Sequence, residues 1–168
     1  MKNDFLPIIP AEMQARGWEQ PDFVYVTGDA YVDHPSFGAA IITRLLESQG
    51  FKVVVLSQPD WHSARDFRQF GRPKYAFLIT AGNIDSMVAH YTAAKKLRHD
   101  DAYTAGGKHG KRPDRAVNVY TRLAKEAYPD CPPPARGPVG GQYARYSGHY
   151  VCGAHQGHTL WRGGVPLL

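Results

Sequence analysis

The sequence of 168 residues is poor in cysteine, holding only Cys131 and Cys152. Two are too few for a disulfide scaffold in a chain of this size. They are also too few for an iron–sulfur or zinc centre built on three or four cysteines of these residues alone. No run of about 18 apolar residues occurs, so nothing reads as a membrane span. The opening MKNDFLPIIPAEM has no apolar stretch of signal-peptide length. These absences fit a reduced, cytoplasmic protein. Phosphate and nucleophile signatures are missing as well. Without G-x-G-x-x-G, dinucleotide binding has little support, and without G-x-x-x-x-G-K-[ST] the chain is not a P-loop protein. No G-x-S-x-G elbow is present.

Acidic residues also stop early. All fifteen lie at or before Asp130, and residues 131–168 contain none. That last stretch carries eight glycines and five prolines, and CPPPARGPVGG can sustain neither helix nor strand. Residues 1–130 are expected to form one α/β domain and 131–168 an irregular tail.

The content of the first part is ordinary for a globular protein, since the whole chain is 43% hydrophobic and 21% charged. The net charge of +5 is concentrated. Between 95 and 115, Lys95, Lys96, Arg98, Lys108, Lys111, Arg112 and Arg115 face only Asp100, Asp101 and Asp114, a local excess of 7 − 3 = +4. Such a loop suits a phosphate-bearing ligand or RNA, or it is simply a solvated charged surface.

Periodicity gives the elements. Phe23–Thr27, Phe51–Leu56 and Tyr75–Thr80 are short apolar runs rich in β-branched and aromatic residues, and fit buried strands. Between the first two, Pro35 suits a helix start with Asp33 as its cap, and Phe37, Ala40, Ile41, Leu45 and Leu46 recur at helical spacing up to Gly50. A short helix is expected near 62–70. Asp85 caps another through Met87, Val88 and Tyr91, and Asp114 caps one that buries Ala116, Val117, Val119, Tyr120, Leu123, Ala124 and Ala127. The pattern is βαβαβα with the next strand replaced by Pro132-Pro133-Pro134. It predicts a three-layer α/β sandwich around a short, mainly parallel sheet.

Open α/β sheets bind ligands at the carboxyl ends of their strands. Three loops meet there: 28–36, 57–61 and 81–86. Gly28, Asp29, Asp33, His34, Asn83 and Asp85 are therefore the candidate cofactor-binding residues at a pocket edge. No catalytic or metal-binding residue is assigned. Trp61 is expected to pack in the core. His149, Cys152, His155 and His158 have irregular spacing for a zinc site. The architecture resembles a cobalamin module, which uses Asp-x-His-x-x-Gly. Here Asp33 and His34 are adjacent and Gly38 follows, so no cobalt-ligating histidine is assigned.

A longer resemblance runs through Phe5-Leu6-Pro7-Ile8, Arg16-Gly17-Trp18-Glu19-Gln20 and the stretch 26–38, VTGDAYVDHPSFG. It continues through Gln58-Pro59-Asp60-Trp61, the stretch 81–88, AGNIDSMV, and His90-Tyr91-Thr92-Ala93. Asp100-Asp101-Ala102-Tyr103-Thr104 and Gly110-Lys111-Arg112-Pro113-Asp114-Arg115 complete it. Over about residues 5–130 the chain resembles the start of the YgiQ-type radical SAM proteins. The resemblance implies an amino-terminal accessory domain that partners a radical SAM core in the same polypeptide. In that core a Cys-x-x-x-Cys-x-x-Cys loop holds a [4Fe–4S] cluster that binds S-adenosylmethionine. These 168 residues lack the loop, so the chain alone is expected to be inactive, with no cofactor of its own.

After Asp130 the family pattern would continue into a hydrophobic strand and a Gly-Gly-Ile-Glu-Ala-Ser-type turn. The chain instead loses acidic residues and periodicity while Arg145-Tyr146 and His149-Tyr150 echo the continuation. That is the pattern of a shifted reading frame. Translating the downstream DNA in all three frames should reveal Cys-x-x-x-Cys-x-x-Cys; its absence from every frame contradicts the frameshift reading.

Overall fold

Three five-residue strands lie side by side in a computed structural model of the chain, which describes residues 5–130 and 149–153. β1 (Phe23–Thr27) is central, flanked in parallel by β2 (Val53–Ser57) and β3 (Ala76–Thr80). The register aligns Tyr25 with Val55 and Leu78, so side chains of one parity share one face across the sheet. Val24, Val26, Val54, Leu56, Phe77 and Ile79 form the core on one side with Phe67 and with Tyr120, Leu123 and Ala124. Those last three come from α4 (Ala116–Ala127). On the other side Tyr25, Val53 and Val55 pack with Leu6, Ile42 and Leu46, the last two from α2 (Gly38–Ser48). Helices thus cover both faces, giving the expected three layers.

α4 buries the face that its periodicity predicts. α2 does so only in part. It starts at Gly38 rather than near Pro35, and it turns Ala39, Ile42 and Leu46 inward while Ile41 and Leu45 stay exposed. Adjacent apolar pairs at 41–42 and 45–46 fit two overlapping stripes. The stripe used presents small residues, Ala39 and Ala40, where the helix meets the sheet edge. Gly50, at φ +86°, ends the helix: Phe51 N–H donates to the Leu46 carbonyl at 3.2 Å, and Gly50 N–H to that of Glu47 at 2.9 Å.

Two short helices complete the domain, α1 (Pro10–Ala15) and α3 (Ser86–His90). α3 buries Ser86, Ala89 and His90 and exposes Met87 and Val88, the reverse of the apolar face read from sequence. The helix expected near 62–70 is a single 3₁₀ turn, Asp66–Arg68. Past Asp130, where the reading assigns no element, β4 (His149–Gly153) pairs antiparallel with β3, giving the order β2-β1-β3-β4. The strand covers the edge of β3 that would otherwise stay open. The rest of the expected irregular tail, 131–148 and 154–168, lies outside the described residues. Among the described residues no helix is long and apolar enough to cross a membrane.

Phe77 is fully buried, with ring centroids 6.4 Å from Phe67 and 5.9 Å from Tyr128. Phe77→Ala is expected to cost about 3–5 kcal/mol in urea unfolding. A loss below about 1 kcal/mol contradicts this packing.

Candidate functional site

All three parallel strands end together, with Thr27 beside Ser57 and Thr80. The polypeptide leaves this edge through two tight glycines. A side chain on Gly28 would run into the Ala81 carbonyl, and one on Gly82, at φ +122°, into the Asp29 carboxylate. The β1 and β3 loops therefore touch backbone to backbone, and Asp29 fits into the gap.

Asp29 is 3% exposed. Its Oδ2 accepts the Asn83 N–H at 2.6 Å. Its Oδ1 lies 2.9 Å from Arg112 Nη2, an ion pair without hydrogen-bond alignment. Arg112 is itself buried. Its Nε and Nη2 donate to Asp101 Oδ2 and Oδ1 at 2.7 and 2.9 Å, and its Nη1 donates to the Ala81 carbonyl at 3.1 Å. One guanidinium thus joins the loops after β1 and β3 to the 100s loop. Tyr103 N–H also donates to Asp101 Oδ1, at 3.0 Å.

The electrostatics differ for the two carboxylates. Burial raises the pKa of Asp29, against the Asn83 N–H and Arg112, which lower it. Burial also pushes Asp101 up, but the bidentate Arg112 contact and the Tyr103 N–H outweigh it and hold Asp101 below the usual range. Two carboxylates share one guanidinium, so the cluster carries an excess negative charge when both are ionised.

The β2 loop is tied in by polar groups. Gln58, with φ +46°, donates from Nε2 to the Gly28 carbonyl at 2.9 Å and to Thr104 Oγ1 at 2.7 Å. Ser57 Oγ donates to the Asp29 carbonyl at 2.9 Å. Between this edge and the start of α2 lies a pocket of about 140 Å3 lined by Tyr25, Thr27, Asp29, Ala39, Thr80 and Asn83, among others. That space suits a few waters or one small polar group. Asn83 Oδ1 accepts the Gly38 N–H at 3.2 Å at the first residue of α2, whose N-cap Phe37 offers no side-chain bond. The Tyr25 hydroxyl is buried without a partner, and burial followed by the Asp29 charge raises its pKa.

Of the candidates read from sequence, Gly28, Asp29 and Asn83 meet here. Asp85 sits beyond them as the cap of α3, accepting the Met87 N–H at 2.9 Å. Asp33 is not the cap of α2; Phe37 holds that position. The Asp33 carboxylate grips Arg44, which also binds Glu47 at 2.6 Å. An arginine two turns into the helix outcompetes the loose N–H groups for a charged partner. His34 is exposed and its Nδ1 accepts the Ser36 N–H at 3.1 Å within a local turn. Asp114 likewise does not cap α4 by a side-chain bond and turns to His90 and Tyr91. Arg112, Asp101, Tyr25 and Gln58 are not among the pocket-edge candidates read from sequence. Arg112 is hidden inside a run of surface-type basic residues; Lys95, Lys96, Arg98, Lys108, Lys111 and Arg115 are exposed and it alone is buried.

Asp101→Asn is expected to destabilise by about 3–5 kcal/mol at pH 7, because it breaks a buried pair. The folded pKa of Asp101 is depressed, so its contribution is present above the unfolded carboxylate value near ~4 and lost as pH falls through the folded value. The cost of the substitution should shrink on that descent. A cost equal at pH 7 and at low pH contradicts the ion pair.

With this geometry in hand, the comparisons with known proteins are specific. The family model described as radical SAM N-terminal matches residues 5–137. A UPF0313 protein of Bradyrhizobium diazoefficiens is 62% identical over 128 residues, covering 76% of this chain and 19% of that protein. One from Clostridium botulinum is 59% identical over 129 residues, 77% of this chain and 20% of its own length. One from Geobacter sulfurreducens is 56% identical over 128 residues, 76% of this chain and 21% of its own. No solved structure matches. The chain spans about a fifth of the length of these relatives. It belongs to the radical SAM N-terminal family, the amino-terminal domain of UPF0313 proteins.

Proposed function

We propose that the chain is the accessory domain of a YgiQ-type radical SAM enzyme and that its carboxyl edge is the face turned toward the radical SAM core. The observation that carries this reading is the family match over residues 5–137, together with relatives of which the chain covers about a fifth. In the whole protein the [4Fe–4S] cluster and S-adenosylmethionine belong to the core. These 168 residues do not fit the cluster, since they hold two cysteines, and no group of metal-ligating side chains of the required size occurs among the described residues. No step of radical chemistry is assigned to this chain.

Its own contribution is positional. Arg112, Gly28 and Gly82 fix two loops so that the stretches 28–38 and 81–86 form one rigid rim. Exposed His34, Pro35 and Ser36 stand on that rim with Asn83 and Asp85. Gly28, Asp29 and Asn83 shape the small pocket beneath it. Such a rim can close the mouth of a barrel and exclude water from a reactive intermediate. The rival reading, a phosphate or RNA surface on the 95–115 loop, loses Arg112 to the buried cluster. It retains six exposed basic residues and predicts binding that weakens steeply with salt.

The test is association. The 168-residue chain is titrated into the Bradyrhizobium diazoefficiens relative from which the equivalent amino-terminal domain has been removed. A one-to-one complex is expected. His34→Glu on the rim should weaken it at least tenfold, and Lys74→Glu at the amino-terminal edge should not. No complex, or sensitivity only at Lys74, contradicts the reading.

A further inference from the structure

We propose that His90 and His109 form a two-histidine site for a late first-row divalent cation, with zinc as the representative ion. The site shares no residue with the ion cluster and plays no part in the accessory role argued above.

The two imidazoles are 4.8 Å apart between ring centroids and inclined at 55°. His90 is 3% exposed at the end of α3, and its Nδ1 lies 2.6 Å from Asp114 Oδ1. A carboxylate opposite Nδ1 places the ring proton there and leaves a lone pair on Nε2. That Nε2 is buried and has no hydrogen-bond partner, and neither has the buried Nε2 of His109. An unpaired buried ring nitrogen is unfavourable, and two on neighbouring rings share one remedy. A metal at about 2.0–2.1 Å from each nitrogen satisfies both, and imidazole favours zinc, copper and nickel over magnesium or calcium.

Asp114 acts as a positioning residue rather than a ligand. Its other oxygen accepts the Tyr91 hydroxyl at 2.8 Å, so the carboxylate is held from two sides. No third histidine, cysteine, aspartate or glutamate joins the pair among the described residues. Water therefore fills the remaining coordination positions, and binding is weaker than in a closed structural zinc site. His109 is half-buried, so the pair lies near the surface.

The experiment is a zinc titration of the 168-residue chain followed by long-range nitrogen NMR of the histidine rings. Residue-specific signals separate this pair from the other histidines and from Cys131 and Cys152. The Nε2 signals of His90 and His109 should move together and saturate at sub-millimolar zinc. His109→Ala should abolish the response of His90. Asp114→Asn should weaken binding roughly 10–100-fold, the usual effect of losing an outer-sphere carboxylate. Thermal melts confirm that each variant folds; a His109→Gln variant serves if the alanine one does not. His90 unmoved by zinc, or still responding in a folded His109 variant, overturns the proposal.

Discussion

A single buried guanidinium holds the carboxyl edge of this domain together. Arg112 contacts two carboxylates and a carbonyl, each from a different loop. Desolvating one cation and two carboxylates is costly, so such a cluster is poor evidence of net stability. What it supplies is geometry. The guanidinium is a planar fork, and its fixed donor directions set the distance between Asp29, Ala81 and Asp101. Removing Arg112 leaves two buried carboxylates without their cation. The edge therefore forms in one arrangement or is lost as a unit.

The sheet beneath is simpler physics, and most of it was legible. Each strand is a run of about five apolar residues flanked by polar turns, and α4 carries an apolar stripe at helical spacing. The ambiguous elements failed for identifiable reasons. α2 offers two overlapping stripes, and the choice is made by small residues approaching the sheet edge. α3 is so short that its capping by Asp85 and the bond from Ser86 Oγ to the Asp114 carbonyl, 2.9 Å, outweigh burial of Met87 and Val88. β4 is a strand only because β3 offers it an edge. Nothing in its local composition signals a partner.

The candidate site was half legible. Position alone selects Gly28, Asp29 and Asn83, because loops at carboxyl ends of parallel strands converge. Asp33 and Asp114 share the residue type of helix caps but have charged or ring partners within reach, which a single sequence does not display. Arg112 is the larger omission. It stands among exposed lysines and arginines, and its partners are distant in the chain. Family resemblance contributed what local chemistry did not: the motif holding Arg112 lies within the matched stretch, and that stretch is about a fifth of each relative's length. A rim fixed by buried charge is a sensible face for such a core, since it does not rearrange when a second domain packs on it.

The central claim is that Arg112 locks the rim independently of the sheet. Native-state hydrogen exchange on Arg112→Leu addresses it most directly. The amides of Asn83 and Tyr103, which donate to Asp29 and Asp101, should lose protection, while those of Val24, Val26 and Ile79 in the sheet keep theirs. Unchanged protection at Asn83 and Tyr103 would contradict the account.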